Sequence, residues 1–345
     1  MKTVLVTGGA GYIGTMLVRK LLENNYKVKI IDRFFFVDEY ALPQNNNLTI
    51  IKDDIRRIDK NEFENIDIVI DLVNLSIAPH NNSFFDKHTW EINHDSRVRN
   101  AKYSKKYGVK QYLLASSCSV YGFTKENITS NENSKLNPQS TYAKAKVATE
   151  NEVVKLADEN FMVNCLRFPT VIGYSKRMRF DIIVNSMVYD CYKEKKVKVL
   201  RDGKQRRPFV HINDVANSYL FFMNYGKQEK INGEIYNVGD EKNNINIINL
   251  AKLIMKELKV KENIEWFGDN PDDRSYFVSY DKIKSIGFEA KYTIRDGIND
   301  VYSNLVNGKL EKTEDTTSIS WFNKLEHWKK IIDSKTMYDG MLEIK

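Results

Sequence analysis

A glycine-rich turn near the N-terminus, GGAGYIG over residues 8–14, constrains the fold of this chain most. The apolar run before the turn has the length of a buried strand, and the apolar spacing after it changes to the period of a helix. Gly8 or Gly9 permits the sharp turn between the two. Gly11 lets the backbone approach a pyrophosphate, and Gly14 lets the helix pack closely on the strand. The sequence therefore predicts the first half of a βαβ unit that binds a dinucleotide.

The residues that follow the turn indicate which dinucleotide binds. Tyr12 and Ile13 open the predicted helix, whose free N–H groups and partial positive charge attract a phosphate. A second apolar run, 27–32, ends in Asp32, and a carboxylate there accepts hydrogen bonds from ribose hydroxyls and repels a 2′-phosphate. Arg33 acts in the opposite sense, since a guanidinium can bind that phosphate. On balance we expect NAD rather than NADP.

Strands and helices alternate along the first half of the chain. Further strands are predicted over 48–55, 66–73, 111–116 and 162–167, and helices over 86–107 and 141–159. This rhythm predicts an α/β fold, a Rossmann-type doubly wound parallel sheet that binds ligands beyond the carboxyl ends of its strands. The predicted organisation is an NAD-binding domain over 1–170 with a later strand near 235–239, a smaller C-terminal substrate-binding lobe over 171–311, and a C-terminal helical extension over 312–345.

Charge, cysteine content and hydropathy exclude several classes of protein. The net charge of +7 is spread along the chain, and no basic block indicates nucleic acid. Cys118, Cys165 and Cys191 lack the spacing of a metal site, as do the five histidines, so we expect no metal. The chain begins with a predicted strand instead of a signal peptide, and no apolar run is long enough to cross a bilayer. We therefore expect reduced cysteines, a cytoplasmic location and no membrane partner.

Aromatic residues outside the glycine turn have a simpler interpretation. Three adjacent phenylalanines at 34–36 cannot all face one core, so one of them is left to cover the adenine or a subunit partner. Trp321 and Trp328, at near-helical spacing, predict that the C-terminal helix packs on the body of the protein.

One tyrosine and one lysine stand at helical spacing in the sequence YAKAK. Tyr142 and Lys146 are four residues apart, so a helix places both side chains on one face. A neighbouring ammonium favours the phenolate of a tyrosine, and a positively charged nicotinamide acts in the same direction. Tyr142 is thus a candidate general base toward a sugar or alcohol hydroxyl. Ser117, at the end of the strand predicted over 111–116, can hydrogen-bond the reacting oxygen.

Four motifs follow one another along the chain. They are GGAGYIG at 8–14, SSCSVYG at 116–122, YAKAK at 142–146 and RPFVHIND at 207–214. Together they resemble the extended short-chain dehydrogenase/reductase family, which includes the nucleotide-sugar epimerases and dehydratases, and the resemblance covers about residues 1–300. It implies an NAD-dependent enzyme that acts on nucleotide-activated sugars. It also implies a homodimer formed through the helices predicted over 86–107 and 141–159. The catalytic residues that it implies are Ser117, Tyr142 and Lys146.

The resemblance also implies binding residues by position. Its cofactor contacts fall on Gly8, Gly11, Tyr12, Ile13, Gly14, Asp32, Asp54, Ile55, Val73, Asn74, Asn93, Tyr142, Lys146 and Pro169. Its substrate contacts fall on Ser117, Thr170, Arg179, Asn185, Arg207 and Arg274. Within these sets Asp54 and Ile55 are expected at the adenine, and Arg207 at the diphosphate of the substrate.

Two departures from the family's patterns bear on the reaction. The 4,6-dehydratases usually carry an Asp-Glu pair where this chain has Cys118 and Ser119. Neither side chain can replace a carboxylic acid in protonating a leaving hydroxyl, so we do not expect a dehydratase. Hexose epimerases often carry an asparagine near Pro169 and Thr170, so a UDP-galactose type of substrate is not assigned. The segment 175–181 resembles that of a family branch that acts on other activated sugars. For this branch we consider heptose or deoxyhexose nucleotides, which are used in surface glycans, as substrates.

The sequence thus favours oxidation of a sugar carbon, expected to be C4, by NAD. Return of the hydride to the other face gives an epimer, the outcome that we expect, in surface-glycan biosynthesis. Release of the keto sugar gives instead a net nucleotide-sugar 4-dehydrogenase that recycles its bound NADH. A non-catalytic NAD-binding regulator is a third hypothesis, which the joint presence of Ser117, Tyr142 and Lys146 disfavours.

Overall fold

The computed structural model describes residues 1–76, 83–125, 128–268, 275–333, 336–338 and 341–343. Its strands are β1 (Thr3–Thr7), β2 (Lys27–Asp32), β3 (Leu48–Lys52), β4 (Ile68–Asp71), β5 (Gln111–Ser117), β6 (Thr129–Ser130), β7 (Met162–Phe168), β8 (Thr170–Ile172), β9 (Val197–Leu200), β10 (Arg206–His211), β11 (Glu234–Asn237), β12 (Asn244–Asn246), β13 (Ile264–Phe267), β14 (Phe277–Val278), β15 (Thr336–Tyr338) and β16 (Met341–Glu343). Its α-helices are α1 (Tyr12–Glu23), α2 (Ser83–Trp90), α3 (Ser96–Lys106), α4 (Thr141–Val153), α5 (Ile183–Glu194), α6 (Ile212–Asn224), α7 (Ile247–Glu257), α8 (Asp281–Ser285), α9 (Ile294–Val306) and α10 (Ser318–Asp333).

A seven-stranded sheet forms the centre of the fold. Its strand order is β11-β7-β5-β4-β1-β2-β3, and every neighbouring pair is parallel. This arrangement confirms the predicted Rossmann-type doubly wound sheet. The direction of winding reverses between β1 and β4, and ligands of such sheets bind beyond the carboxyl ends of the strands at that point.

The two faces of the sheet are covered by different helices because side chains alternate along each strand. In β1, Val4 and Val6 belong to one hydrophobic cluster, together with residues of α1 and α6. Leu5 points to the other face, where a second cluster includes Val98 of α3 and Val153 of α4. Both faces are therefore buried, as the continuous apolar strands of the sequence predict.

The chain after β7 builds a smaller part beside the carboxyl end of the sheet. There β8 pairs with β10, which also pairs with β12, and β9 pairs with β13. The helices α5, α7 and α9 pack against one another around β9. The strand expected near 235–239 is β11, and it joins the edge of the central sheet beside β7.

The C-terminal segment differs in part from the predicted helical extension. The helix α10 forms as expected, but β15 and β16 follow it as an antiparallel pair. Thr336 and Tyr338 favour strand structure, which is a local reason for the change. Phe36 lies 5.3 Å from Trp321 and 6.0 Å from Phe322, measured between ring centroids, so the 34–36 segment packs on α10. Among the helices of the described ranges, none has the length and apolar character to cross a membrane.

Candidate active site

The glycine turn has the geometry of a phosphate cradle. Gly8 has a φ of +73°, and a Cβ there would lie 2.9 Å from Cα of Val73. A Cβ on Gly14 would lie 2.6 Å from the carbonyl oxygen of Gly9, so only glycine lets α1 approach β1 this closely. A Cβ on Gly11 would meet only the oxygen of Gly8, at 3.1 Å, which leaves the outer side of the turn open.

The N-terminus of α1 is free to receive an anion. Gly11 caps it without a side chain, and its first turn, which begins at Tyr12 and Ile13, contains no acidic residue. The phenol of Tyr12 points away and donates to the carbonyl oxygen of Gly173, at 2.5 Å. The open turn and the uncapped helix start therefore fit the diphosphate of a dinucleotide.

Asp32 ends β2 beside this turn and is held by the backbone. Its Oδ2 accepts the N–H of Ala10 at 3.0 Å, and its Oδ1 accepts the N–H of Phe34 at 2.9 Å. Burial raises the pKa of Asp32, while these hydrogen bonds and the charge of Arg177 act in the opposite direction. Each carboxylate oxygen keeps a lone pair, so the side chain fits two ribose hydroxyls.

Arg33 is bound to Asp54, so its position gives no indication that a 2′-phosphate binds here. Its guanidinium hydrogen-bonds Asp54, which also accepts bonds from Nε and Nη2 of Arg56 at 3.0 and 2.7 Å. The hydrogen bonds from Arg56 are the main reason why the pKa of Asp54 is well below its usual range. Asp54 and the buried Ile55 lie just after β3, and their contact with adenine stays a prediction.

The segment after β4 is fixed by a side chain from another element. Asn93 lies in a π-helical turn, Glu91–Asp95, between α2 and α3. Its amide accepts the N–H of Leu75 at 2.7 Å and donates to the carbonyl oxygen of Leu75 at 3.0 Å. Both polar ends of Asn93 are thus used to position the segment that contains Val73 and Asn74. Asn93 acts on the predicted cofactor site through that segment.

Ser117 and Tyr142 come together at the carboxyl end of β5. Ser140 caps α4 by accepting the N–H of Ala143 at 3.2 Å, which places Tyr142 in the first turn of that helix. Burial raises the pKa of Tyr142 above its usual value. The hydroxyl of Ser117, and the charges of Arg97 and Arg179, act against this rise.

Lys146 lies one turn further along α4 and is fully buried. Its Nζ is 5.4 Å from the ring centroid of Tyr142 and donates to the carbonyl oxygen of Ala115 at 2.8 Å. Burial lowers the pKa of Lys146 well below its usual range, and the charge of Arg97 acts in the same direction. The structure therefore brings Ser117, Tyr142 and Lys146 to one place, as the sequence predicts.

A buried ion pair that the sequence analysis missed lies behind these three residues. Nε of Arg97 is 2.9 Å from Oδ2 of Asp71, and both side chains have no exposed surface. The hydroxyl of Tyr112 donates to the same carboxylate at 2.6 Å. Nη2 of Arg97 donates at 2.9 Å to the carbonyl oxygen of Ala115, the oxygen that Lys146 also binds. The only signal in the sequence is a carboxylate at the end of an apolar strand, which needs a partner when buried.

Arg179 and Asn185 lie close to the same crevice. Arg179 forms an ion pair with Asp181, Nη2 to Oδ2 at 2.7 Å, and Nη1 donates to Oγ of Ser76 at 3.3 Å. Asn185 donates to the hydroxyl of Tyr12 at 3.1 Å and is completely buried. The charge of Arg179 also acts on the phenol of Tyr142, whereas Asn185 contacts the first residue of α1.

The remaining predicted residues lie beside the carboxyl end of β7 or beyond the described chain. Pro169 joins β7 to β8, and Thr170 opens β8 opposite Phe209 of β10. Arg207 is a buried residue of β10, and its Nη1 donates to the carbonyl oxygen of Arg206 at 3.1 Å. Arg274 is outside the described residues. The part of the chain that the structure describes contains no cluster of three or more His, Cys, Asp or Glu side chains able to hold a metal ion.

A parallel sheet with a phosphate-binding turn, and with serine, tyrosine and lysine at one crevice, defines a class of NAD-dependent enzymes, the extended short-chain dehydrogenases/reductases. The chain belongs to the NAD dependent epimerase/dehydratase family, whose model matches residues 4–239. NAD is accordingly its cofactor, and the open turn and Asp32 fit it. NAD supplies a hydride acceptor when bound.

Individual members of this family are similar to the chain over most of its length. A Methanocaldococcus jannaschii protein, provisionally named a UDP-glucose 4-epimerase, is 29% identical over 308 residues, which cover 86% of this chain and 96% of that protein. The dTDP-D-glucose 4,6-dehydratase of Mus musculus is 26% identical and covers 86% of each chain. The UDP-glucuronic acid 4-epimerase of Bacillus cereus, solved with UDP-glucuronic acid and NAD, superposes with a TM-score of 0.79 at 22% identity, over 88% of this chain and 99% of that one.

Proposed function

We propose that this chain is a nucleotide-sugar epimerase that inverts a hydroxyl-bearing carbon of the sugar, C4 in the favoured case. The observation that carries the proposal is the convergence of three side chains at the carboxyl end of β5: Ser117 ends that strand, and Tyr142 stands beside the buried Lys146, whose Nζ is 5.4 Å from the centroid of its ring. A phenol in this position can take a proton from a sugar hydroxyl while hydride leaves the same carbon.

The side chains around Tyr142 prepare it as a base. Burial holds the phenol protonated, and Ser117, Arg97 and Arg179 reduce that effect because each stabilises the phenolate. When bound at the turn, NAD would supply the hydride acceptor for this reaction. Ser117 holds the reacting oxygen near the phenol by hydrogen bonding. Nζ of Lys146 donates to the carbonyl oxygen of Ala115, which holds it close to the ring of Tyr142.

The residues next to Ser117 support an epimerase over a dehydratase. The thiol of Cys118 is completely buried, donates to the carbonyl oxygen of Arg167 at 3.4 Å, and has a pKa that burial raises well above its usual range. It is therefore turned away from the crevice as a filler of the core. Ser119 carries only a hydroxyl, which is too weak an acid to protonate a leaving hydroxyl. An elimination of water would lack its acid at these positions.

The nucleotide part of the substrate is proposed from charge and resemblance. Arg179 and Arg207 supply cationic groups on the chain after β7, the part that the sequence assigns to the substrate. The Bacillus cereus relative named above was solved with UDP-glucuronic acid, which supports a uridine diphosphate sugar as the first candidate to test.

Replacement of Tyr142 by phenylalanine tests this proposal. Because the phenolate is lost while the fold and the turn are kept, we expect turnover to fall by about 10²- to 10⁴-fold and NAD to remain bound. Tyr40→Phe is a matched control, since Tyr40 is 88% exposed and should leave turnover unchanged. Near-normal turnover in Tyr142→Phe would contradict the proposal.

A further inference from the structure

Arg177 is a buried cation that forms no ion pair with a described residue. Only 5% of its surface is exposed. Its Nη2 donates to Oγ of Ser318 at 2.6 Å, and its Nη1 is buried with no hydrogen-bond partner among the described residues. The neighbouring Asp181 is already bound by Arg179.

Such an arrangement is unfavourable unless a ligand completes it. A buried charge destabilises the folded protein strongly when it is neither paired with an opposite charge nor fully hydrogen-bonded. Burial and the repulsion by Arg179 lower the pKa of Arg177 to about 9, which still leaves it charged near neutral pH. The unpartnered Nη1 is therefore a group that an anion can bind.

The position of Arg177 identifies the place of that anion. Its charge acts on Asp32 at the end of β2, and Ser175, two residues before it, donates its hydroxyl to the carbonyl oxygen of Tyr12 at the start of α1 at 2.8 Å. Its guanidinium carbon lies 4.2 Å from the ring centroid of Phe36. Arg177 thus stands near the uncapped helix start and the acid that we assign to the ribose. In a bound dinucleotide, the group that lies between these two features is the diphosphate.

We propose that Arg177 binds the diphosphate of the dinucleotide, and that the C-terminal helix α10 holds it there through Ser318. The proposal rests on the cofactor site described above. The diphosphate is favoured over a 2′-phosphate because the carboxylate of Asp32 repels an added phosphate on the ribose. Through Nη1, Arg177 adds a charge-assisted contact to those that the backbone N–H groups of the turn make.

The C-terminal segment is tied to this arginine by several contacts. The N–H of Phe180 donates to the carbonyl oxygen of Thr316 at 2.7 Å. Ser318 is 3% exposed, and Trp321 packs on the ring of Phe36 that lies beneath Arg177. This segment follows the part of the chain that the family model matches, 4–239. The cofactor site would therefore be completed by a segment outside the matched region.

Direct binding measurements on cofactor-free protein test the proposal. The variants are Arg177→Met, which removes the charge at similar length, Arg177→Lys, which keeps it, and Ser318→Ala, which removes the supporting hydroxyl. Lys176→Met is the matched control, because Lys176 is the exposed cation next in sequence. NAD dissociation constants are measured by calorimetry, and unfolding temperatures with and without NAD by thermal scan.

We expect Arg177→Met to weaken NAD about 10- to 100-fold, Arg177→Lys and Ser318→Ala to weaken it less, and Lys176→Met to leave it unchanged. The rise in unfolding temperature that NAD causes should be smaller in Arg177→Met than in the natural protein. Unchanged NAD affinity in Arg177→Met overturns the proposal, as does a loss confined to NADP. If Arg177→Met does not fold, an unchanged affinity in both Arg177→Lys and Ser318→Ala overturns it. Absence of NAD binding by the natural protein would instead count against the cofactor site itself.

Discussion

At the scale of single residues, burial and charge act in opposite directions on the phenol of Tyr142. Burial is the larger effect and raises its pKa, while Ser117, Arg97 and Arg179 lower it. Arg97 cannot move, because Asp71 and the carbonyl oxygen of Ala115 hold it. The pKa of the phenol is therefore set by burial together with the charges held around it.

Arg179 offers a test of this balance. Its removal takes away a positive charge that stabilises the phenolate, so the pKa of Tyr142 rises further and less of the base form is present at a given pH. In Arg179→Met, the rising limb of kcat/KM should move to higher pH, as measured by a pH–rate profile. Arg179→Lys retains the charge and should keep the limb near its natural position. A profile of unchanged position in Arg179→Met would refute this role.

The sequence reveals some of these residues and not others. The spacing of Tyr142 and Lys146 is local, so a helix alone brings them together. Arg97 and Asp71 are far apart in sequence, and only the pairing of β4 with β5 and the packing of α3 bring them into contact. No local pattern marks such a pair, and the same holds for Arg177 and Ser318.

At the scale of elements, the β1-turn-α1 unit can be predicted from the sequence because its steric requirements are local. Gly8 and Gly14 stand where a Cβ would strike the backbone, and these are the positions that the glycine pattern marks. The residue at which the C-terminal helix ends cannot be predicted in the same way. The short strands β15 and β16 depend on pairing with each other, which a helical apolar spacing does not exclude.

Gly14→Ala tests the close packing of this unit. An added Cβ would lie 2.6 Å from the carbonyl oxygen of Gly9, so α1 must shift from β1 despite the better helix propensity of alanine. We expect a loss of about 1–3 kcal/mol in the free energy of unfolding, with weaker NAD binding. Urea unfolding and calorimetry measure the two effects.

Gly226→Ala is the control for that change, because a Cβ at Gly226 meets no atom within 4 Å and its φ is not positive. Its free energy of unfolding should change by no more than about 0.5 kcal/mol. Equal behaviour of the two variants would remove the steric argument for Gly14.

At the scale of the whole molecule, the crevice is formed by parts that are distant in the chain. The sheet supplies Asp32 and leads into the turn, α4 supplies Tyr142, and the chain after β7 supplies Arg177 and Arg179. The helix α10 contributes Trp321, whose ring packs on that of Phe36. The homodimer that the resemblance implies remains a proposal for the faces of α3 and α4.

The central claim, that this crevice oxidises the sugar of a nucleotide sugar by way of Tyr142, is tested most directly with the NAD-loaded protein and separate UDP-, GDP-, CDP- and dTDP-sugars. The absorbance band of bound NADH is followed, and the products are separated by chromatography. We predict that one sugar is converted to its C4 epimer without net NADH, and that Tyr142→Phe abolishes the conversion. Accumulation of NADH with a keto product would replace epimerisation by net dehydrogenation. Failure of every sugar to change, with NAD demonstrably bound, would contradict the claim.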